Sequence, residues 1–166
     1  MQIAQKIVHN VDHKVAFDVV TLDYEGRFLR RKRLVTDSGE PFLVELSETV
    51  SLSSTDGFLL DDKRVVAIKA KPESLLKVKH TNLPRIAWHI GNRHTPCQVE
   101  RDHLLIQEDH VMEGLLHLLG ADIEKLQAPF IPEGGAYGHG RTHGHSNDHS
   151  HQPSNHINSD ELSSKG

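Results

Sequence analysis

From Gly138 to His156 the chain reads GHGRTHGHSNDHSHQPSNH, nineteen residues without one hydrophobic side chain. Such a run cannot join a packed core, because too little apolar surface is present to offset the entropy of ordering it. Of the 166 residues, about 130 are therefore left to fold, enough for one modest domain or two small ones that would each be marginal alone.

Those residues divide by pattern. Up to about residue 70 the chain shows short strand-like runs separated by turn chemistry and no helical period. Lys14 to Leu22 is rich in β-branched residues, and Asp37-Ser38-Gly39 sits between two apolar runs, as a hairpin requires. Phe42, Val44 and Leu46 alternate onto one strand face, and Phe58 to Ile68 repeats the theme around Asp61-Asp62. Lys71-Pro72-Glu73 then reads as a joint, since proline lacks a ladder donor.

The next segment changes character. Leu75 to Val78 predicts a strand, and Leu83, Ile86, Ala87 and Ile90 recur at helical spacing, with Thr81 or Asn82 as cap and Gly91 as stop. Cys97 to Glu100 and Leu104 to Gln107 suit a hairpin. A second helix runs from an Asp109 cap through Met112, Leu115, Leu116 and Leu119 to Gly120, and a last strand falls within Asp122 to Ala128. The predicted fold is α+β: an N-terminal all-β domain over 1–72, a ferredoxin-like βαββαβ domain over 73–132, and a flexible His-rich tail over 133–166.

Composition excludes several function classes. The net charge of −4 argues against nucleic acid as a main partner. The one basic run, Arg30-Arg31-Lys32-Arg33, reads as an exposed edge strand blunted by its charges. Cys97 is the only cysteine, so no intramolecular disulfide is possible, and a reducing compartment is expected. No segment resembles a signal peptide or approaches the ~20 apolar residues of a transmembrane helix, so a cytoplasmic protein without a membrane partner is expected. Motifs of the HExxH, GxSxG and phosphate-loop kinds are missing, which speaks against an enzyme.

The histidines point to metal. His139, His143, His145, His149, His151 and His156 are dispersed among small polar residues rather than gathered in a tag-like block. Neutral imidazole suits borderline divalent ions, and the pairs His143-x-His145 and His149-x-His151 can each chelate one on a pliable backbone. An arm of this kind predicts weak, exchangeable sites, and it does not select among nickel, zinc and copper. His94 is a second candidate, just past the predicted helix end, where unpaired carbonyls favour a nearby cation. One imidazole cannot hold an ion alone. A two-fold dimer would supply a second His94 if the site lay near the axis. From spacing alone His94 reads equally as a ligand or as a plain helix-terminal residue. Cys97 could be a soft ligand, but alternation favours its turning into the core. His9, His13, His80, His89, His103 and His117 read as surface or boundary residues, with His117 expected to be partly buried among leucines.

The stretches GNRH at 91–94, EDHVMEGLLHLLG at 108–120 and PFIPEGGAYGHG at 129–140 resemble the urease accessory protein UreE family along the whole chain. The resemblance implies a nickel metallochaperone whose N-terminal domain is similar to a peptide-binding domain related to part of the Hsp40 chaperones. It implies that the second domain holds nickel between two subunits through His94. It also implies that His110 occupies a further metal position, placed in doubt by Glu108 where some members have histidine. The tail histidines correspond to a variable metal-loading arm. Implied partners are a second copy of the chain, the urease accessory GTPase and the urease apoprotein complex. Two readings compete with this one: a passive histidine-rich metal buffer, and a protein-binding adaptor without metal transfer.

Overall fold

The protein is described here by a computed structural model that places residues 1–134. Among the described residues, ten strands form two sheets. The first contains β1 (Gln2–Val8), β2 (Asp18–Leu22), β3 (Phe28–Val35), β4 (Pro41–Ser51), β5 (Gly57–Leu60) and β6 (Val65–Ala70), in the spatial order β2-β6-β5-β1-β4-β3. The second contains β7 (Pro72–Lys79), β8 (Gln98–Val99), β9 (Leu104–Gln107) and β10 (Asp122–Pro129), in the order β10-β7-β9-β8. Helices α1 (Leu83–Gly91) and α2 (His110–Leu118) complete the expected βαββαβ unit. All neighbouring pairs in its sheet are antiparallel.

The two predicted hairpins of the first sheet are present. Between β3 and β4 the chain turns at Gly39, whose φ of +99° is open to glycine and costly for other residues, and the Thr36 carbonyl accepts from its backbone N–H at 2.9 Å. Phe42, Val44 and Leu46 all face inward and join Phe58, Leu60, Val66 and Ile68 in one core. Less expected are two parallel pairings, β1 with β4 and β2 with β6, which insert β1 between later strands and put β2 on the edge beside β6.

The predicted strand over Lys14 to Leu22 is shorter than expected, beginning only at Asp18. Asp12 explains this. Its carboxylate accepts from the Lys14 backbone N–H at 2.9 Å, and its carbonyl accepts from Val15 and Ala16, so the preceding residues are held in turns rather than in a ladder. The basic strand β3 lies at the sheet edge with Arg30 to Arg33 exposed. Lys32 sits opposite the fully buried Val44, placing a charge on the core side of an edge, a device that discourages pairing with another chain.

In the second sheet, alternation divides the apolar residues between two layers. Leu76, Val78, Leu104 and Ile106 face α1 and α2, meeting Ile86, Ile90, Met112 and Leu116. Leu75 and Leu105 face the other way, onto Tyr24 and Phe130. This second layer is the seam between the sheets. The Phe130 ring is fully buried and stands edge-on to Tyr24 at 5.3 Å, while its carbonyl accepts from the buried Arg27 guanidinium. Glu73 closes the seam by accepting from the Tyr24 backbone N–H at 2.8 Å and from Gln107 at 3.0 Å.

Candidate metal centre

Helix α1 is built as the sequence predicts. The Asn82 side chain accepts from the Arg85 backbone N–H at 3.1 Å, and Ile86 and Ile90 fix the buried face. Its far end has an informative closure. Thr95 donates to the Ile90 carbonyl at 3.4 Å and His94 donates to the Gly91 carbonyl at 2.9 Å, the paired bonds of a Schellman loop. In that loop one residue must adopt the left-handed conformation, usually glycine. Here it is His94, at φ +55°. The imidazole is thus carried on an exposed, sharply defined corner two residues before Pro96, which ends any continuation of the helix. Trp88 on α1 is 63% exposed and Val99 on β8 is 50% exposed.

Cys97 follows on the same segment and packs against the helical core, as alternation predicts. Burial pushes its thiol up to about 11, and the nearby Glu133 carboxylate adds to the shift, so at neutral pH it is a thiol rather than a metal-binding thiolate.

His110 begins α2 and is exposed, with Asp109 capping the helix through the Met112 N–H at 2.8 Å. Glu108 is engaged by Lys125 at 2.7 Å, and Lys125 also meets Glu113 at 3.2 Å. These carboxylates, Glu108 foremost, hold the Lys125 ammonium above its ordinary range. Glu108 is therefore committed to a cation on the neighbouring strand, and recruiting it beside His110 would require breaking that pair.

Among the described residues, no group of three or more His, Cys, Asp or Glu side chains is arranged to hold an ion, so the fold does not bring His94 and His110 into one such cluster. The expected tail ligands His139, His143, His145, His149, His151 and His156 lie outside the described residues. His117, expected to be partly buried, is exposed: it falls on the outer face of α2 while Met112 and Leu116 take the inner one. His9 pairs with the buried Asp56 at 2.7 Å, and His103 pairs with Asp102 at 2.7 Å.

A further contact at this end of the domain has no signal in the sequence. Past Phe130 the chain is tied to the segment that carries His94: Ile131 donates its backbone N–H to the Gln98 side-chain carbonyl at 2.8 Å, and Glu133 donates to the Cys97 carbonyl at 2.9 Å. The last described residues therefore lie beside β8. A glutamine in a two-residue strand does nothing to announce this.

Two family models match the chain, the N-terminal domain of the UreE urease accessory protein over residues 4–71 and its C-terminal domain over residues 63–157. The chain belongs to the UreE family. Named relatives include the urease accessory protein UreE of Ruegeria pomeroyi, 55% identical over 127 residues that cover 76% of this chain and 85% of the relative. The UreE of Paracoccus denitrificans is 51% identical over 139 residues, covering 84% and 88%. That of Rhodobacter capsulatus is 54% identical over 127 residues, covering 76% and 81%. The UreE family consists of accessory proteins rather than catalysts, in agreement with the reading that the chain is not an enzyme. No helix among the described residues is long and apolar enough to cross a membrane.

Proposed function

We propose that this UreE-family chain is a nickel metallochaperone for urease maturation, receiving the ion, holding it between two subunits and releasing it to partner proteins. The observation that carries the reading is the placement of His94: a histidine occupies the left-handed corner where a glycine would serve the helix better. An exposed imidazole on a rigid corner is preorganised, and a second copy related by a two-fold axis supplies the second one. The uncovered Trp88 and Val99 give that homodimer its apolar contact.

Nickel is cargo in this scheme. Two imidazoles leave coordination positions open, and His139, His143, His145, His149 and His151 fill them when the arm closes, at an entropic cost that keeps the ion exchangeable. The recipients are the urease accessory GTPase and the urease apoprotein complex. His110 serves as an outlying loading position. Zinc and copper compete for the same imidazoles.

Calorimetric nickel titration tests this with three full-length proteins: the parent, His94→Ala, and a chain with its six tail histidines replaced by serine, His139→Ser through His156→Ser. The expected result is one tight site per dimer that His94→Ala removes, and weaker sites that disappear with the tail histidines. If His94→Ala leaves all sites intact while the tail variant loses them, the protein is a passive buffer and the proposal is wrong.

A further inference from the structure

We infer that the opening between the far ends of β1 and β4 is a binding site for an arginine side chain presented by a partner protein, recognised by Glu48 together with the His9–Asp56 pair. This site is independent of nickel.

The opening follows from the pairing of the first sheet. β1 and β4 share a parallel ladder only where Gln2 to Ala4 meet Phe42 to Val44. Both strands run on past it, β1 to Val8 along β5 and β4 to Ser51 along β3. Each pairing shifts register beyond the shared ladder, between Ala4 and Lys6 on β1 and between Leu29 and Arg31 on β3, as bulged strands do when they bend apart. A cavity of about 370 Å³ occupies the gap. Ile7 and His9 line it from the end of β1, Glu48, Val50 and Leu52 from the end of β4, and Asp56 from the turn before β5. That volume lies near the lower end of the range of about 300–1,000 Å³ for ligand pockets, which suits one side chain rather than a helix or strand.

The polar groups are mostly acceptors. The Asp56 side chain is only 9% exposed; one of its oxygens accepts from the Ser53 backbone N–H at 2.7 Å, and the other lies 2.7 Å from His9 Nδ1. An ionised carboxylate only accepts, so Nδ1 carries the hydrogen and His9 Nε2 is left as an acceptor. Among the described residues no ion pair or side-chain hydrogen bond engages the Glu48 carboxylate. No lysine or arginine lines the cavity with these two acids. Such a set repels anions and calls for a cation rich in hydrogen-bond donors, while Ile7, Val50 and Leu52 suit the methylene stem behind its charged head. A bare metal ion fits less well, since no three ligating side chains converge among the described residues. Guanidinium fits better than ammonium because its planar fork pairs bidentately with a carboxylate and it is more weakly hydrated, so a partly enclosed site strips less water from it.

The test maps amide shifts in the full-length protein during titration with Nα-acetyl-arginine methylamide, its lysine counterpart, and its citrulline counterpart, which keeps the shape without the charge. The arginine compound should give saturable shifts at Val50, Ser51 and Leu52 and at His9. Citrulline should bind about fivefold more weakly, the difference between a charged and a neutral hydrogen-bonded pair, and lysine should also bind more weakly than arginine. Glu48→Gln, a change at an exposed residue, should weaken arginine about two- to fivefold and leave citrulline unaltered. Shifts that do not saturate at these residues, citrulline or lysine binding as tightly as arginine, or a Glu48→Gln loss equal for arginine and citrulline would each overturn the inference.

Discussion

Replacing His94 by glycine should stabilise the metal-free protein while abolishing the proposed tight nickel site, a separation of stability from function that alanine should not produce. His94 sits at φ +55° in the loop that closes α1. Holding an L-residue there costs roughly 1–2 kcal/mol relative to glycine. Glycine's greater freedom in the unfolded chain takes back about 0.4–1 kcal/mol. The balance is a gain of about 0.5–1 kcal/mol, or about 1–4 °C in melting midpoint for a body of this size. His94→Ala keeps the strained backbone and should stay within about 0.5 kcal/mol of the parent. The assay is thermal and urea unfolding of all three proteins at one concentration with chelator present, because bound metal and dimerisation both raise apparent stability. A glycine variant that melts below the parent, or alanine and glycine variants that coincide, would refute the strain argument.

Other outcomes can be checked in the same proteins. Phe130→Ala should cost about 3–5 kcal/mol by urea denaturation, since the ring is fully buried in the seam between the sheets. Burial and Glu133 raise the Cys97 thiol to about 11, so between the unfolded thiol's ordinary value of about 8.5 and that point the folded protein keeps a proton the unfolded chain gives up. Stability should therefore fall as pH rises across that window, and Cys97→Ala should flatten the slope in denaturation measured from about pH 8 to 11. Thiol alkylation at neutral pH should likewise be slow until the protein unfolds. Nickel should be released on acidification, because protons compete for the same imidazole nitrogens; retention measured by dialysis that stays flat from about pH 8 to 5 would exclude histidine ligation.

The second domain was largely legible in the sequence because each of its elements carries its own punctuation: Asn82 and Asp109 cap the helices, Gly91 and Gly120 lie at their ends, and the apolar residues change from a two-residue to a 3.6-residue period between them. Hairpins of the first sheet were legible for the same reason. Its parallel pairings were not, since Gln2 to Ala4 meet Phe42 to Val44 across forty residues with nothing local to announce the partner. At the candidate metal centre, the position of His94 past the helix end was readable, whereas its left-handed backbone was not, because only glycine normally advertises that conformation. The seam was invisible for a different reason. Arg27 and Glu73 are charged, and sequence patterning assigns charge to the surface, but in the fold Arg27 is buried against a carbonyl 103 residues away.

The pairing of β1 with β4 and β5 also sets an order of events on the ribosome. β1 has no neighbour until residues 41–60 follow it, and β2 waits longer still, for β6. Sheets that depend on such distant partners fold slowly, because loop closure precedes any reward from contact. Phe130, the last buried residue among those described, leaves the tunnel only after both sheets have been synthesised, so the two halves can lock together only once it has emerged. The histidine-rich segment follows it. The arm that would gather metal is therefore presented to the cell only after the body it serves has all the residues needed to close.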